Sequence, residues 1–268
     1  MKNRILTLLA LCAAVLSTTG CFDIEQLIKL NADASGEAHV TMKVDMESMV
    51  KVMAGLKKTM SGEEGEPTAE ELDAVRQEML AEREQKDIQS EVEGDKKRLQ
   101  ENLPKGVELA ALDVKENGLN LEVHMAFKFD HVSKLPQIEI PDEPAEEDDM
   151  GMGGPPEPNP VKKPFDGLVV TDHGDTLELT FKPSNPADEA MPEDGEGPQM
   201  PGMEDMIKEA FSGLKISWKI ESAMPVVEHN APKADGGNLT WSYDLKGMEE
   251  LKKADAKGPR AVLKNSGK

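Results

Sequence analysis

Aromatic residues are scarce, with two Trp, one Tyr and six Phe among 268 residues. Rings alone cannot fill a core of this size, so burial falls mainly to aliphatic side chains and to 16 methionines. Cysteine is scarcer still. Cys12 and Cys21 are the only two, which rules out a multi-disulfide framework and a CxxC-type zinc site. Basic charge is in deficit: 31 Lys and Arg face 52 Asp and Glu, for a net charge of −21. Without clustered bases to displace counterions, nucleic acid is not a partner. The same field repels anionic lipid headgroups. No apolar run approaches the roughly 20 residues of a membrane span. Nucleotide and hydrolase signatures are missing too, with no GxGxxG, phosphate loop, GxSxG elbow or HExxH. His39, His124, His131, His173 and His229 are scattered without ligand spacing. The chain reads as non-enzymatic and in need of no cofactor or metal.

What is present begins at the first residues. Met1-Lys2-Asn3-Arg4 is a short basic start, followed by an apolar run from Ile5 to Leu16 and then Ser17-Thr18-Thr19-Gly20-Cys21. These are the three parts of a secretory signal, predicted over residues 1–20. Gly20 directly before Cys21 resembles the lipobox of bacterial lipoproteins. That resemblance implies cleavage between Gly20 and Cys21 and a diacylglyceryl group on the Cys21 sulfur. Cys12 departs with the signal, so Cys21 is the one thiol left, and lipidation accounts for an unpaired Cys in an exported chain. Two acyl chains anchor firmly where one binds reversibly. Phe22 follows, where Asp is the familiar inner-membrane retention residue. The predicted location is the cell envelope, at the outer membrane if the organism has two.

Downstream, hydrophobic periodicity predicts an α+β domain, an antiparallel β-sheet covered by helices. Residues 23–46 read as a hairpin turned at Asn31–Gly36, with Val40, Met42, Val44 and Met46 on one face. A helix follows through Met49, Val50, Met53 and Met60, with Asp45 as its N-cap. Thr68 and Glu71 form a capping box. It opens a charged helical stretch carrying Leu72, Val75, Met79, Ile88, Val92, Leu99 and Leu103. Glu82–Lys86 and Glu93–Lys97 support that stretch, and Gly94 marks a kink or a division into two helices. Leu119 to Phe129 alternates without a break, and Asn117-Gly118 turns it back on Val107–Val114. Leu168–Thr171 and Leu177–Phe181 form a further hairpin. Met203, Met206, Ile207, Ala210 and Phe211 mark a short helix ended at Gly213, and another is expected near Met248–Lys253. Ile216–Ile220 and Leu239–Leu245 are the last strands. Residues 139–164, with eight acids before any base, and residues 184–202 are Pro/Gly/acid-rich and read as solvated linkers. The expectation is one domain over 21–253, interrupted by these linkers, with a loose tail over 254–268.

Trp218, Trp241 and Tyr243 are the candidate ligand-lining residues, although rings in alternating strands are more often core. Met150-Gly151-Met152 and Met200-Pro201-Gly202-Met203 offer thioethers to Cu(I), but Met serves as filler throughout the chain. The acidic stretches lack the carboxylate spacing of a Ca²⁺ loop.

A family resemblance joins the two ends of the chain. Gly20-Cys21, the Asp33-Ala34-Ser35-Gly36 turn, Met224-Pro225-Val226-Val227, His229-Asn230 and Asn238-Leu239-Thr240-Trp241 together resemble the LppM-type bacterial lipoproteins. The resemblance implies an envelope protein with a lipidated Cys and an α+β soluble domain, which in some members has affinity for lipids. Two functions follow as expectations. One is an anchored lipoprotein that binds a lipid or another apolar ligand. The other is an acidic scaffold that contacts envelope proteins.

Overall fold

The computed structural model describes residues 22–62, 65–85, 88–139, 163–182, 208, 211–253 and 256–265. The signal, Cys21, most of 139–164, all of 184–202, both Met-Gly clusters and most of the expected 203–211 helix lie outside them.

Strong alternation in the sequence becomes a seven-stranded sheet. It contains β1 (Phe22–Leu30), β2 (Gly36–Asp45), β3 (Val107–Asn117), β4 (Asn120–Phe129), β7 (Lys215–Ser222), β9 (Lys233–Asp235) and β10 (Asn238–Asp244), in the order β3-β4-β2-β1-β7-β10-β9. Register aligns the apolar residues in rows across the strands. One row runs Leu112, Met125, Val40, Gln26, Trp218, Trp241, with Gln26 as its polar member donating to the Pro164 carbonyl at 2.9 Å, and the next Leu109, Phe127, Ala38, Ile28, Ile220, Leu239. The opposite face is polar and carries cross-strand ion pairs such as Lys219–Glu25 at 2.5 Å and Lys215–Asp23 at 3.7 Å. Each side-chain row thus follows from period-2 alternation, one face buried and one wet.

The turn between β1 and β2 explains its sequence. Asp33 Oδ1 accepts the Ser35 N–H at 3.1 Å and its hydroxyl at 2.6 Å, and Ala34 takes the left-handed conformation at φ 64°. A Cβ on Gly36 would stand 1.9 Å from the Lys29 carbonyl oxygen, so only glycine fits there.

Two layers cover the apolar face. A second, four-stranded antiparallel sheet has the order β5-β6-β11-β8, from β5 (Leu168–Asp172), β6 (Thr176–Phe181), β8 (Val226–His229) and β11 (Arg260–Lys264). Its Leu177, Leu179, Phe181, Ala261 and Leu263 join the same core as Ile28, Phe127 and Trp218. The helices are α1 (Glu47–Met60), α2 (Ala69–Gln85), α3 (Ile88–Asn102) and α4 (Leu245–Leu251). Val52 of α1, Leu99 of α3 and Met248 of α4 enter that core. Val50 and Ala54 of α1 instead meet Val75 and Met79 of α2 in a satellite cluster.

The α+β class holds, with two refinements. β1 and β7 pair in parallel, and a second sheet shares the covering with the helices. The capping box forms as expected: Glu71 accepts the Thr68 N–H at 2.6 Å, and Thr68 Oγ1 accepts the Glu71 N–H at 3.3 Å. The long stretch is helical over Ala69–Gln85 and over Ile88–Asn102, with Gly94 inside α3; residues 86–87 lie outside the described residues. Met46 occupies the N-cap of α1, and Asp45 Oδ1 accepts the Glu47 N–H at 3.0 Å. The final helix spans Leu245–Leu251, capped by Asp244, which accepts the Gly247 N–H at 2.8 Å.

The loose tail is corrected. Arg260–Lys264 is an inner strand of the second sheet, paired on both sides, with Ala261 and Leu263 fully buried. All three of Ala261, Val262 and Leu263 are buried, so the strand has no alternation by which to be read, and Pro259 and flanking lysines disguise it.

Candidate functional site

The sequence placed its candidate rings on two strands, and the structure makes those strands neighbours. Trp218 on β7 and Trp241 on β10 are direct cross-strand partners. Trp218 stands 5.5 Å from Tyr243 and 5.7 Å from Phe181 of the second sheet, between centroids. Trp218 is 2% exposed and Trp241 1%. Both indoles therefore fill the seam between the sheets. Tyr243 is half-buried at the margin, and burial pushes its phenol pKa up.

A buried indole N–H needs an acceptor. Asn230, just beyond β8, supplies it: its Oδ1 accepts from Trp241 Nε1 at 2.9 Å and from the Arg260 N–H at 2.8 Å. Its Nδ2 donates to the Gly258 carbonyl at 2.8 Å. One amide thus ties the seven-stranded sheet to β11 at Arg260 and to the segment before it at Gly258. The role of the His229-Asn230 pair in the sequence is accordingly structural at Asn230, while His229 Nδ1 accepts the Ala231 N–H at 3.1 Å.

Beside this seam lies a shallow cleft of about 500 Å³, lined by Phe181, Lys182, Glu228, Asn230, Lys257, Pro259 and Arg260 among others. Arg260 pairs with Glu178 and, at 2.7 Å, with Glu228. The Arg260 guanidinium and His173 hold the Glu178 carboxyl below the usual carboxylate range. The cleft brings together Lys182, Lys257 and Arg260 from distant parts of the sequence, and no local pattern announces it.

On the polar face of the large sheet, His39 of β2 and His124 of β4 stack with centroids 5.7 Å apart. His124 lies 3.7 Å from Asp113, and His39 lies 3.8 Å from Glu37. His131 Nδ1 sits 2.8 Å from Ser133 Oγ, and His173 Nε2 3.0 Å from Glu178. Among the described residues no group of three His, Cys, Asp or Glu side chains is arranged to hold a metal.

Burial lowers the His39 pKa, and Lys29 and His124 push in the same direction. Glu37 and Glu221 oppose them. Because the folded pKa lies below 6.5, the unfolded chain binds more protons in the window beneath that value, so stability falls as pH drops through it. Urea unfolding midpoints are expected to decrease from pH 7.5 to 5.5, and His39→Gln is expected to flatten part of that slope. An identical slope in the variant would remove His39 as its source.

No family model matches the sequence, and no curated protein does. Among solved structures, the chain is similar to the folded domain of LppM from Mycobacterium tuberculosis, determined by NMR. The TM-score is 0.43 and the identity 8%, with 91% of this chain and 90% of that one covered.

Proposed function

We propose that the protein is a non-enzymatic lipoprotein of a bacterial cell envelope, cleaved before Cys21 and held at a membrane by acyl chains on that residue. The observation that carries this reading is the meeting of motif and fold at one point. The signal pattern ends at Gly20-Cys21, and β1 opens on Phe22. Every described element lies downstream, so the proposed cleavage spares all of them. The first test is the intact mass of membrane-extracted protein. The expected value is that of residues 21–268 plus diacylglyceryl and acyl groups; a chain retaining residues 1–20, or one without added mass, overturns the reading.

The domain acts through its surface as a scaffold that meets other envelope components. The packing of Trp218 and Trp241 favours this role, because rings so enclosed have no open side to offer a hydrocarbon chain. Binding of a lipid or another apolar ligand is the second reading. Its structural foothold is the half-open cleft beside Phe181 and Pro259, walled mainly by charged and polar side chains. Native mass spectrometry separates the two: a lipid bound in addition to the covalent anchor supports the second, and a consistently empty domain supports the first.

A further inference from the structure

We infer that the domain stands upright on its anchor, with one rim of the seven-stranded sheet resting on zwitterionic lipid headgroups. This rests on the lipid-anchor reading and adds an orientation to it.

The argument is one of slack. Many tethered domains swing on a linker of flexible residues. Here Cys21 is one peptide bond from Phe22, a Cα step of about 3.8 Å, and Phe22 is already in the sheet, paired with Val44. β1 cannot fray to lengthen the tether without breaking the core. It is a central strand, paired along its length with β2 and, from Asp23, with β7. The Phe22 ring is 8% exposed and stacked on Phe211 at 4.6 Å. The acyl chains must therefore enter the bilayer within a residue of the sheet edge.

Register then says which residues share that edge. Phe22 begins β1 where β2 ends at Asp45, where Asn117 and Asn120 close the β3–β4 hairpin, and where Lys215 meets Asp244. Of the nearby apolar side chains, Phe22, Leu119, Phe211 and Leu214 are buried, and Val44, Met46 and Leu245 are partly buried. None is fully exposed for insertion, so the rim sits at headgroup depth. Amides, Lys215 and the carboxylates of Asp23, Asp45 and Asp244 suit headgroups that carry both signs of charge, and repel purely anionic ones. The nine residues of β1 span about 30 Å. That places the opposite rim, with Asp235 and the Asn31–Ser35 turn, well clear of the surface.

The test uses the full-length lipidated protein in vesicles of phosphatidylcholine and phosphatidylethanolamine. Once Cys21 carries its lipid no free thiol remains, so a single introduced cysteine can be labelled with a fluorophore. Asn117→Cys and, as a second label on the same rim, Asn120→Cys are compared with Asp235→Cys, using a quencher fixed to the lipid headgroup. Quenching severalfold stronger at 117 and 120 than at 235 is expected; equal quenching, or the reverse order, overturns the orientation. Inserting about ten Gly and Ser residues between Cys21 and Phe22 is expected to erase the difference while the protein still floats with vesicles. A difference that survives the insertion shows that the short tether is not its cause. Protein that does not float and carries no lipid overturns the anchor itself, whereas floating protein with uniform quenching overturns only the orientation.

Discussion

Cys21→Ser, exported behind an ordinary cleavable secretory signal, is expected in the soluble fraction, while the parent chain pellets with membranes. Serine has no sulfur to receive the diacylglyceryl group. Each buried methylene contributes about 0.8 kcal/mol, so losing the acyl chains shifts partitioning by many orders of magnitude. Among the described residues no helix is long and apolar enough to cross a bilayer, and a net charge of −21 opposes anionic surfaces. Fractionation after carbonate washing reads the result. A Cys21→Ser chain that stays with the membrane would show that something other than the anchor retains it.

Trp241→Ala is expected to destabilise the domain by about 3–5 kcal/mol, the usual cost of emptying a well-packed aromatic site. That is a large part of the stability of an ordinary domain. Trp241→Phe separates ring from hydrogen bond: it keeps much of the buried surface but leaves Asn230 without one of its partners, for about 1 kcal/mol. Asn230→Ala does the converse, orphaning the indole N–H, and is expected to cost about 1–3 kcal/mol. In a double-mutant cycle the Trp241→Phe and Asn230→Ala effects should fall short of additivity, because they remove the same bond. Guanidinium unfolding of the three variants reads these losses.

The strongest sequence signals came true as local structure. Leu119 to Phe129 alternates over an unbroken stretch and is β4; Asn117-Gly118 turns at Gly118 with φ 60°; Thr68 and Glu71 cap α2 as their spacing requires. Such features depend on residues within a few positions of one another. β11 escaped for the converse reason. It is five residues long and buried on an inner strand, without alternation, and its partners Thr176–Thr180 and Val226–His229 are far away along the chain. The candidate site divides in the same way. Trp218 and Trp241 were legible as rings on strands, but their partnership, and the amide of Asn230 between them and β11, required knowing which strands adjoin. The His39–His124 stack was hidden for that reason too: β2 and β4 are separated by three helices and a strand.

Composition and local pattern by themselves determined an acidic, ring-poor α+β chain, the capping box at Thr68 and the turn at Asn117-Gly118, and they motivate the proposed signal ending at Gly20-Cys21. Each of these is set by covalent neighbours or by bulk charge. Tertiary structure alone decided the parallel joining of β1 to β7, the second sheet that closes over the tryptophans, and the rim that shares an edge with Phe22. These depend on which apolar faces find each other across long loops. That choice is made by the burial of the whole core, and no short segment carries it.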